Sequence, residues 1–310
     1  MKNITIIGGG VLGSQIAFQA AYSGFQVTIW LRSEESIARS KIKIKELKKT
    51  YIKAINMMAK NKSKDTWCLG ISEYKKFNKE KCLNQVEQAY NSINFELDLK
   101  KSLKTADLII ESMSENFEAK KGLYQTMAPF IPSKTILVTN SSTILPSKLA
   151  KYLLRPNKFL ALHFANSIWK NNIVEVMRHE ETDNKSFNKV LEFAKEINMI
   201  ALPIQKEKSG YLLNSMLIPF LFSALDLYVN GISDIESIDK AWVIGTGAKE
   251  GPFQILDKIG LKTAYEIVKM YVKIPRILAP YNFKAIAKML KEYIDEGKLG
   301  KESKEGFYKY

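Results

Sequence analysis

Two side chains capable of acid–base chemistry occur in apolar stretches of the sequence. His163 follows the apolar residues 159–162, and Glu175 lies within the apolar residues 173–177. A polar ring in a buried strand is costly unless it is used or hydrogen-bonded. If the two stretches are neighbouring strands, the Glu175 carboxylate can hold one imidazole nitrogen of His163 and raise the basicity of the other. A general acid/base needs that arrangement, and a structural buried histidine is the alternative interpretation.

Further polar residues are expected at the edge where the strands end. Asn140 and Ser142 follow a predicted strand at residues 135–139, and open α/β sheets bind ligands at the carboxyl ends of their strands. The second histidine, His179, lies among charged residues that predict a solvated turn, so we assign it no role.

The N-terminal stretch predicts a dinucleotide-binding unit. Gly8, Gly10 and Gly13 form G-x-G-x-x-G between a predicted strand and a predicted helix, and a second strand is predicted to begin at residue 27. Gly8 permits a tight turn, Gly10 lets backbone amides approach a pyrophosphate, and Gly13 lets helix and strand pack closely. The pyrophosphate would lie on the positive N-terminus of the helix. A glycine turn without a ligand is the alternative.

The residues after the second strand bear on which dinucleotide is bound. An acidic residue there would bind the ribose hydroxyls and repel a 2′-phosphate, which favours NAD. The chain has Leu31, followed by Arg32 and Ser33. Arg32 could face a 2′-phosphate and Ser33 could donate a hydrogen bond to it, although Glu34 and Glu35 add opposing charge. We expect NADP(H) to be favoured over NAD(H); an exposed arginine with bound NAD is the alternative.

Strands and helices alternate as far as residue 204. Strands are predicted at residues 106–111, 135–139, 159–164, 173–177 and 199–204, with a helix at 114–127. We therefore expect an α/β Rossmann fold with a doubly wound, mostly parallel sheet, followed by an all-α C-terminal domain. The predicted domains are a dinucleotide-binding domain at residues 1–204 and a helical substrate and dimerisation domain at residues 205–310.

One apolar segment in the helical half could be mistaken for a membrane span. Residues 211–229 are interrupted by Asn214, Pro219 and Asp226, so no span is expected. The apolar side chains lie all round the predicted helix, which indicates burial on several sides. That pattern is typical of the centre of a small domain or of a dimer interface.

Composition narrows the class of protein. The chain has 310 residues, 46% of them hydrophobic, and a net charge of +15, which suits a globular protein of two domains. A charged start that leads straight into a strand predicts no signal peptide. Cys68 and Cys82 form neither a disulfide framework nor a zinc pattern. We expect a cytoplasmic protein without a metal site.

Lysines are densest in residues 41–62, where apolar residues recur at helical spacing and predict an amphipathic helix with a basic face. Three interpretations compete. The face is merely solvated, it docks a polyanionic substrate such as coenzyme A, or it binds nucleic acid. The last is disfavoured because no nucleic-acid module is visible, so no nucleic-acid partner is expected.

Taken together, these motifs resemble the 3-hydroxyacyl-CoA dehydrogenase family over nearly the whole chain, and most closely its diketoreductase branch. The matching stretches are residues 8–19, 139–143, 160–166, 174–177, 206–215, 244–248, 251–253 and 305–308. Together they are far more specific than any one of them.

The resemblance implies a dehydrogenase that transfers a hydride between a nicotinamide cofactor and a 3-hydroxyacyl or 3-ketoacyl substrate. It implies His163 as the acid/base and Glu175 as its orienting partner, with Ser142 and Asn214 around the reacting oxygen. Asn214 comes from the helical domain, which is also expected to form a homodimer. The expected cofactor-binding residues are Gly8, Gly10, Gly13, Arg32, Ser33 and Asn140, joined through the resemblance by Val11, Leu12, Glu115, Lys120 and Asn166.

The chain also departs from the family pattern. The usual Phe-Asn-Pro after the histidine is replaced by residues 165–167, Ala-Asn-Ser, whose Ala-Asn part is found in the diketoreductase branch. The arm that holds coenzyme A in the family matches poorly between residues 60 and 86, so whether the substrate is a CoA thioester is open. A non-enzymatic dinucleotide-binding or structural protein of the same fold is the alternative function. The catalytic residues that the resemblance implies are all present, which argues against this alternative. They are Ser142, His163, Glu175 and Asn214.

Overall fold

The computed structural model describes residues 1–61, 63 and 66–310. They form two compact units, residues 1–212 and residues 213–310. The domain boundary predicted after residue 204 falls at the end of the last strand, whereas the first unit continues to Leu212.

The first unit is built on one sheet. Its strands are β1 (Asn3–Ile7), β2 (Gln26–Trp30), β3 (Asn94–Glu96), β4 (Leu108–Glu111), β5 (Ile136–Thr139), β6 (Phe159–Phe164), β7 (Ile173–Met177) and β8 (Ile200–Ile204). They lie in the order β3-β2-β1-β4-β5-β6-β7-β8. Neighbours pair in parallel except β6 and β7, which are antiparallel. The predicted doubly wound, mostly parallel sheet is confirmed, and the short β3 was not predicted.

Helices cover both faces of this sheet. They are α1 (Val11–Tyr22), α2 (Glu34–Lys60), α3 (Lys79–Ser92), α4 (Leu99–Leu103), α5 (Phe117–Met127), α6 (Pro146–Ala150) and α7 (Asn184–Glu196). In β4, Leu108 and Ile110 pack into the cluster that contains α1, α2, α3 and α7, and Ile109 packs into the cluster of α4, α5 and α6. Each such side chain contributes about 1.5–3 kcal/mol when buried, which explains why the strands are apolar on both faces.

Helix α2 is the amphipathic helix predicted from the lysine-rich segment. It buries Ile44, Leu47, Tyr51, Ile55 and Met58, while most of its lysines stay exposed. The last lysine of the segment, at position 62, lies outside the described residues.

The second unit is all helical, as predicted. Its helices are α8 (Leu213–Val229), α9 (Ile235–Thr246), α10 (Pro252–Ile259), α11 (Leu261–Lys269) and α12 (Phe283–Asp295). Helix α8 buries one broad face through Leu221, Phe222 and Leu225, but its Met216 is 67% exposed. The prediction of burial on several sides is therefore wrong for the single chain, because the other helices of this unit pack against only one side. In the described part of the chain, no helix combines the length and apolar character needed to cross a membrane.

Candidate active site

The antiparallel pairing of β6 and β7 brings the predicted acid–base pair together. His163 lies directly opposite Glu175 in the register, and its Nδ1 is 3.0 Å from Glu175 Oε2. The other carboxylate oxygen, Oε1, accepts a hydrogen bond of 2.8 Å from the backbone N–H of Leu212. Because the buried carboxylate accepts at Nδ1, that nitrogen carries the proton in the neutral ring, and Nε2 is left for chemistry.

The free side of the imidazole faces the loop after β5. Ser142 Oγ is 3.1 Å from His163 Nε2. Just before it, the side-chain oxygen of Asn140 accepts a hydrogen bond of 3.0 Å from the backbone N–H of Phe164. The end of β5 is thereby tied to the end of β6, and Ser142, His163 and Glu175 form a continuous hydrogen-bonded chain.

Glu115 holds the loop that carries the serine. Its Oε1 accepts hydrogen bonds from Ser141 Oγ at 2.5 Å and from the backbone N–H and hydroxyl of Thr143, each at 2.8 Å. Burial opposes ionisation of Glu115, but these hydrogen bonds and the nearby Lys120 ammonium outweigh burial and lower the pKa of the carboxyl. Glu115 is therefore an ionised anchor of the loop.

Lys120 lies beneath this loop. Its ammonium is 2.6 Å from Glu111 Oε1 and 3.7 Å from Glu115 Oε2, and its side chain is 1% exposed. The second oxygen of Glu111 accepts hydrogen bonds from Tyr124 and Thr139. Lys120 has almost no exposed surface, so its ammonium supports the carboxylates of Glu111 and Glu115, and its predicted contact with a cofactor stays a prediction.

The glycine motif has the geometry that a pyrophosphate requires. Gly8 has φ +101°, and a Cβ there would lie 2.8 Å from the Ser112 carbonyl oxygen. A Cβ on Gly13 would lie 2.1 Å from the Gly8 carbonyl oxygen, so helix and strand pack as closely as predicted. A Cβ on Gly10, the N-cap of α1, would meet nothing within 4 Å. That open space at a helix N-terminus fits a pyrophosphate, with Val11 and Leu12 in the first turn.

A cavity of about 260 Å³ continues from the glycine turn to the end of β2. Leu31 and Arg32 line it, together with three residues that the sequence reasoning missed. These are Ser36, Arg39 and Lys43 of α2. With Arg32 they recur at spacings of three and four residues, the signal of a single helix face that could have revealed them.

Ser33 is not among the residues that line this cavity. Its hydroxyl is the N-cap of α2 and accepts a hydrogen bond of 3.3 Å from the backbone N–H of Ser36, and its predicted hydrogen bond to a 2′-phosphate stays a prediction. The Ser36 hydroxyl in turn accepts a hydrogen bond of 2.9 Å from Arg39. The groups that could face a 2′-phosphate are therefore Arg32, Arg39 and Lys43.

The comparisons with known proteins agree with this geometry. The family model described as the 3-hydroxyacyl-CoA dehydrogenase NAD-binding domain matches residues 3–208, and the corresponding C-terminal domain model matches residues 210–310. The chain belongs to the 3-hydroxyacyl-CoA dehydrogenase family. It is 30% identical to human mitochondrial hydroxyacyl-coenzyme A dehydrogenase, over 100% of this chain and 91% of that protein. It is 28% identical to 3-hydroxybutyryl-CoA dehydrogenase of Clostridioides difficile, over 99% of each chain.

Among solved structures, a diketoreductase described in connection with dual catalysis of dicarbonyl compounds is similar to this chain. The identity is 41%, the TM-score is 0.86, and the match covers 100% of this chain and 99% of that one. The chain is therefore an oxidoreductase that acts on CH–OH groups of hydroxyacyl substrates, as the resemblance implied. The non-enzymatic alternative is set aside.

Three further residues of this dehydrogenase were singled out in the sequence, and the structure shows where each lies. Asn166 is exposed just after β6, and its carbonyl accepts a hydrogen bond of 2.8 Å from Asn171. Asn214 lies in the first turn of α8, in the second unit. His179 was predicted in a solvated turn, and this is wrong. Its ring is buried and hydrogen-bonded to the Pro156 carbonyl at 3.1 Å, because the turn folds back against β6.

Within residues 1–61, 63 and 66–310, no group of three or more His, Cys, Asp or Glu side chains could hold a metal ion. Cys68 and Cys82 are buried free thiols.

Proposed function

We propose that this family member interconverts a β-keto and a β-hydroxy acyl compound with His163 as its acid/base and NADPH as its preferred reductant. The observation that carries the proposal is the hydrogen-bonded chain of Ser142, His163 and Glu175. The glycine turn follows β1 and the serine loop follows β5, and both strands run parallel in the same sheet. The two features therefore belong to the same edge of the sheet, where α/β enzymes bind their ligands.

The roles follow from the positions of the atoms. In reduction, the imidazolium of His163 holds its transferable proton at Nε2, and the Glu175 carboxylate at Nδ1 stabilises the cation. Ser142 Oγ lies beside Nε2, so both groups can contact one substrate oxygen and stabilise charge that develops there. The family resemblance also assigns Asn214 a hydrogen bond to the reacting oxygen, and that assignment stays a prediction. The nicotinamide, when bound, supplies the hydride or accepts it in the reverse direction.

The cofactor preference rests on the cavity at the end of β2. Leu31 offers the adenosine ribose no acceptor, and Arg32, Arg39 and Lys43 line the same cavity. Guanidinium groups suit phosphate oxygens, and two of them with an ammonium favour a dianion over a hydroxyl. The pyrophosphate is held by the amides around Gly10.

The substrate and the assembly are further parts of the proposal. The substrate is a β-dicarbonyl or 3-hydroxyacyl compound, with or without coenzyme A. A homodimer forms through the second unit, where Met216, Ile232 and Ile244 are 67%, 69% and 79% exposed. The molar mass in solution from light scattering tests the dimer. The cytoplasmic location also remains a prediction, which cell fractionation tests.

One assay tests the proposed reaction. Oxidation of NADPH and of NADH is followed with acetoacetyl-CoA and, separately, with a free β-keto ester. Wild type should turn over at least one of these, and His163→Ala should lower kcat by ~10²–10⁴-fold with cofactor affinity nearly unchanged. A His163→Ala rate within about threefold of wild type would remove His163 from the mechanism.

A further inference from the structure

A tyrosine lies flat against the catalytic imidazole. The ring of Tyr211 stacks on His163 with a centroid separation of 4.3 Å and an interplanar angle of 17°. Its hydroxyl donates a hydrogen bond of 2.6 Å to the carbonyl of Ser141, the residue before Ser142. Tyr211 is buried, so one side chain contacts the acid/base with its face and the serine loop with its tip.

The backbone around this tyrosine is held in an uncommon conformation. Tyr211 has φ +55° and follows Gly210 at φ +81°, and its N–H donates to the carbonyl of Lys208 at 3.1 Å. A bulky residue in the left-handed region persists only where its surroundings over-determine it. The next residue, Leu212, donates its N–H to Glu175. Successive residues of this turn therefore contact both members of the acid–base pair.

We propose that Tyr211 is a positioning residue that fixes His163 and Ser142 relative to each other. The inference rests on the proposed function, since it assigns Tyr211 a role through His163. The stacked ring restrains rotation of the imidazole, and its negative face favours the imidazolium form. The hydroxyl ties the serine loop to the same ring, so the Ser142–His163 separation of 3.1 Å is set by one rigid side chain.

Burial and the negative charge around Tyr211 keep its hydroxyl protonated. The carboxylates of Glu115, Glu175, Glu111 and Glu207 are near enough to act on it, and together with burial they raise the pKa of its hydroxyl. The hydroxyl therefore stays protonated and donates to the Ser141 carbonyl. Proton transfer is left to His163.

Two variants separate the effect of the ring stacked on His163 from the effect of the tether, the hydrogen bond from the Tyr211 hydroxyl to the Ser141 carbonyl. Tyr211→Phe keeps the ring and loses the hydrogen bond, so kcat should fall about 3- to 10-fold with an unchanged midpoint of the pH–rate profile. Tyr211→Leu loses the stack as well. It should lower kcat further and move that midpoint to lower pH by about half a unit or more, because the imidazolium loses the aromatic face. Tyr22→Phe is the control, since the Tyr22 hydroxyl also donates to a buried carbonyl, that of Ile71.

A double-mutant cycle tests whether the tether acts through the serine. In a Ser142→Ala background, Tyr211→Phe should lower kcat by less than about twofold, because the loop no longer carries the group to be positioned. An equal loss in both backgrounds overturns the tether. If Tyr211→Leu does not fold by circular dichroism, Tyr211→Phe and the cycle decide the question alone.

The outcomes also distinguish this inference from the proposed function. Activity of His163→Ala near wild type refutes the proposed function, whatever the tyrosine variants do. If His163→Ala is inactive while Tyr211→Phe and Tyr211→Leu stay within about twofold of wild type at every pH, the proposed function stands and the inference is overturned.

Discussion

The arginine-lined cavity predicts a measurable preference between the two reduced cofactors. Arg32 and Arg39 are exposed and Lys43 is half-buried, so each interacts with a 2′-phosphate in partly screened surroundings. One charge-assisted hydrogen bond at such a site contributes about 1.5 kcal/mol, the low end of the usual range. Since about 1.4 kcal/mol corresponds to a factor of ten in Kd, NADPH should bind at least about tenfold more tightly than NADH.

Single substitutions measure how much each residue contributes to the tighter binding of NADPH. Arg32→Ala and Arg39→Ala should each raise the Kd of NADPH about tenfold and change that of NADH by less than about twofold, because only NADPH carries the phosphate. Lys45→Ala is the matched control. It removes an exposed charge from the same helix at a position that does not line the cavity. Titration of both cofactors by fluorescence measures all of these constants.

The same titrations can refute the reasoning. The advantage of NADPH should shrink at high ionic strength, because added salt screens exposed charges. The phosphate interpretation fails if wild type binds NADH as tightly as NADPH, or if Arg32→Ala weakens both alike. In that case Leu31 is simply a lost ribose contact. An effect of Lys45→Ala as large as that of Arg32→Ala would show general electrostatic attraction instead.

Three other predictions each concern a single residue. Glu175→Gln should lower kcat about 10- to 100-fold and move the midpoint of the pH–rate profile to lower pH, because a neutral amide no longer favours the imidazolium; an unchanged profile would mean that the carboxylate acts elsewhere. Gly13→Ala should abolish tight cofactor binding in calorimetry, because the added Cβ would lie 2.1 Å from a carbonyl oxygen; normal affinity would contradict the close packing. Burial opposes ionisation of Asp107, but the Lys134 ammonium and two backbone N–H groups outweigh it and lower its pKa to about 2. Because this folded-state pKa lies below the unfolded value, the stabilisation is present above pH ~4 and lost as pH falls through about 2. Asp107→Asn should therefore lower the free energy of unfolding at pH 7 and approach the wild-type value as the pH falls toward 2, and an equal loss at both pH values would refute this explanation.

The acid–base pair was predictable from the sequence, and so was the direction in which its two strands pair. His163 and Glu175 stood out as polar residues in apolar strands, and neighbouring strands were expected. The antiparallel pairing of β6 and β7 follows from the length of the connection between them. Residues 165–172 are too few for the crossover connection that a parallel pair requires, so β7 had to run back beside β6.

Other parts of the site depended on tertiary packing that one sequence does not reveal. The resemblance implied that Lys120 contacts the cofactor, and nothing in the sequence indicated that its ammonium is buried against Glu111 at the end of β4. Lys43 was missed because the lysine-rich segment suggested a solvated basic face, and Arg39 lies just before that segment. Only the folded structure, in which residues of α2 and of the glycine turn line the same cavity, shows that part of the basic face borders a ligand-sized space.

Hydrogen-bonded carboxylates, rather than apolar packing alone, hold the reacting groups in place. Glu175 uses one oxygen for His163 and the other for the turn that carries Tyr211. Glu115 accepts hydrogen bonds from four donors of the serine loop, and its lowered pKa keeps the carboxyl ionised at pH values where an ordinary glutamate is partly protonated. An acceptor with several donors fixes direction as well as distance, which an apolar contact does not. A site built in this way keeps Ser142 and His163 aligned before substrate arrives, so less binding energy is needed to orient them.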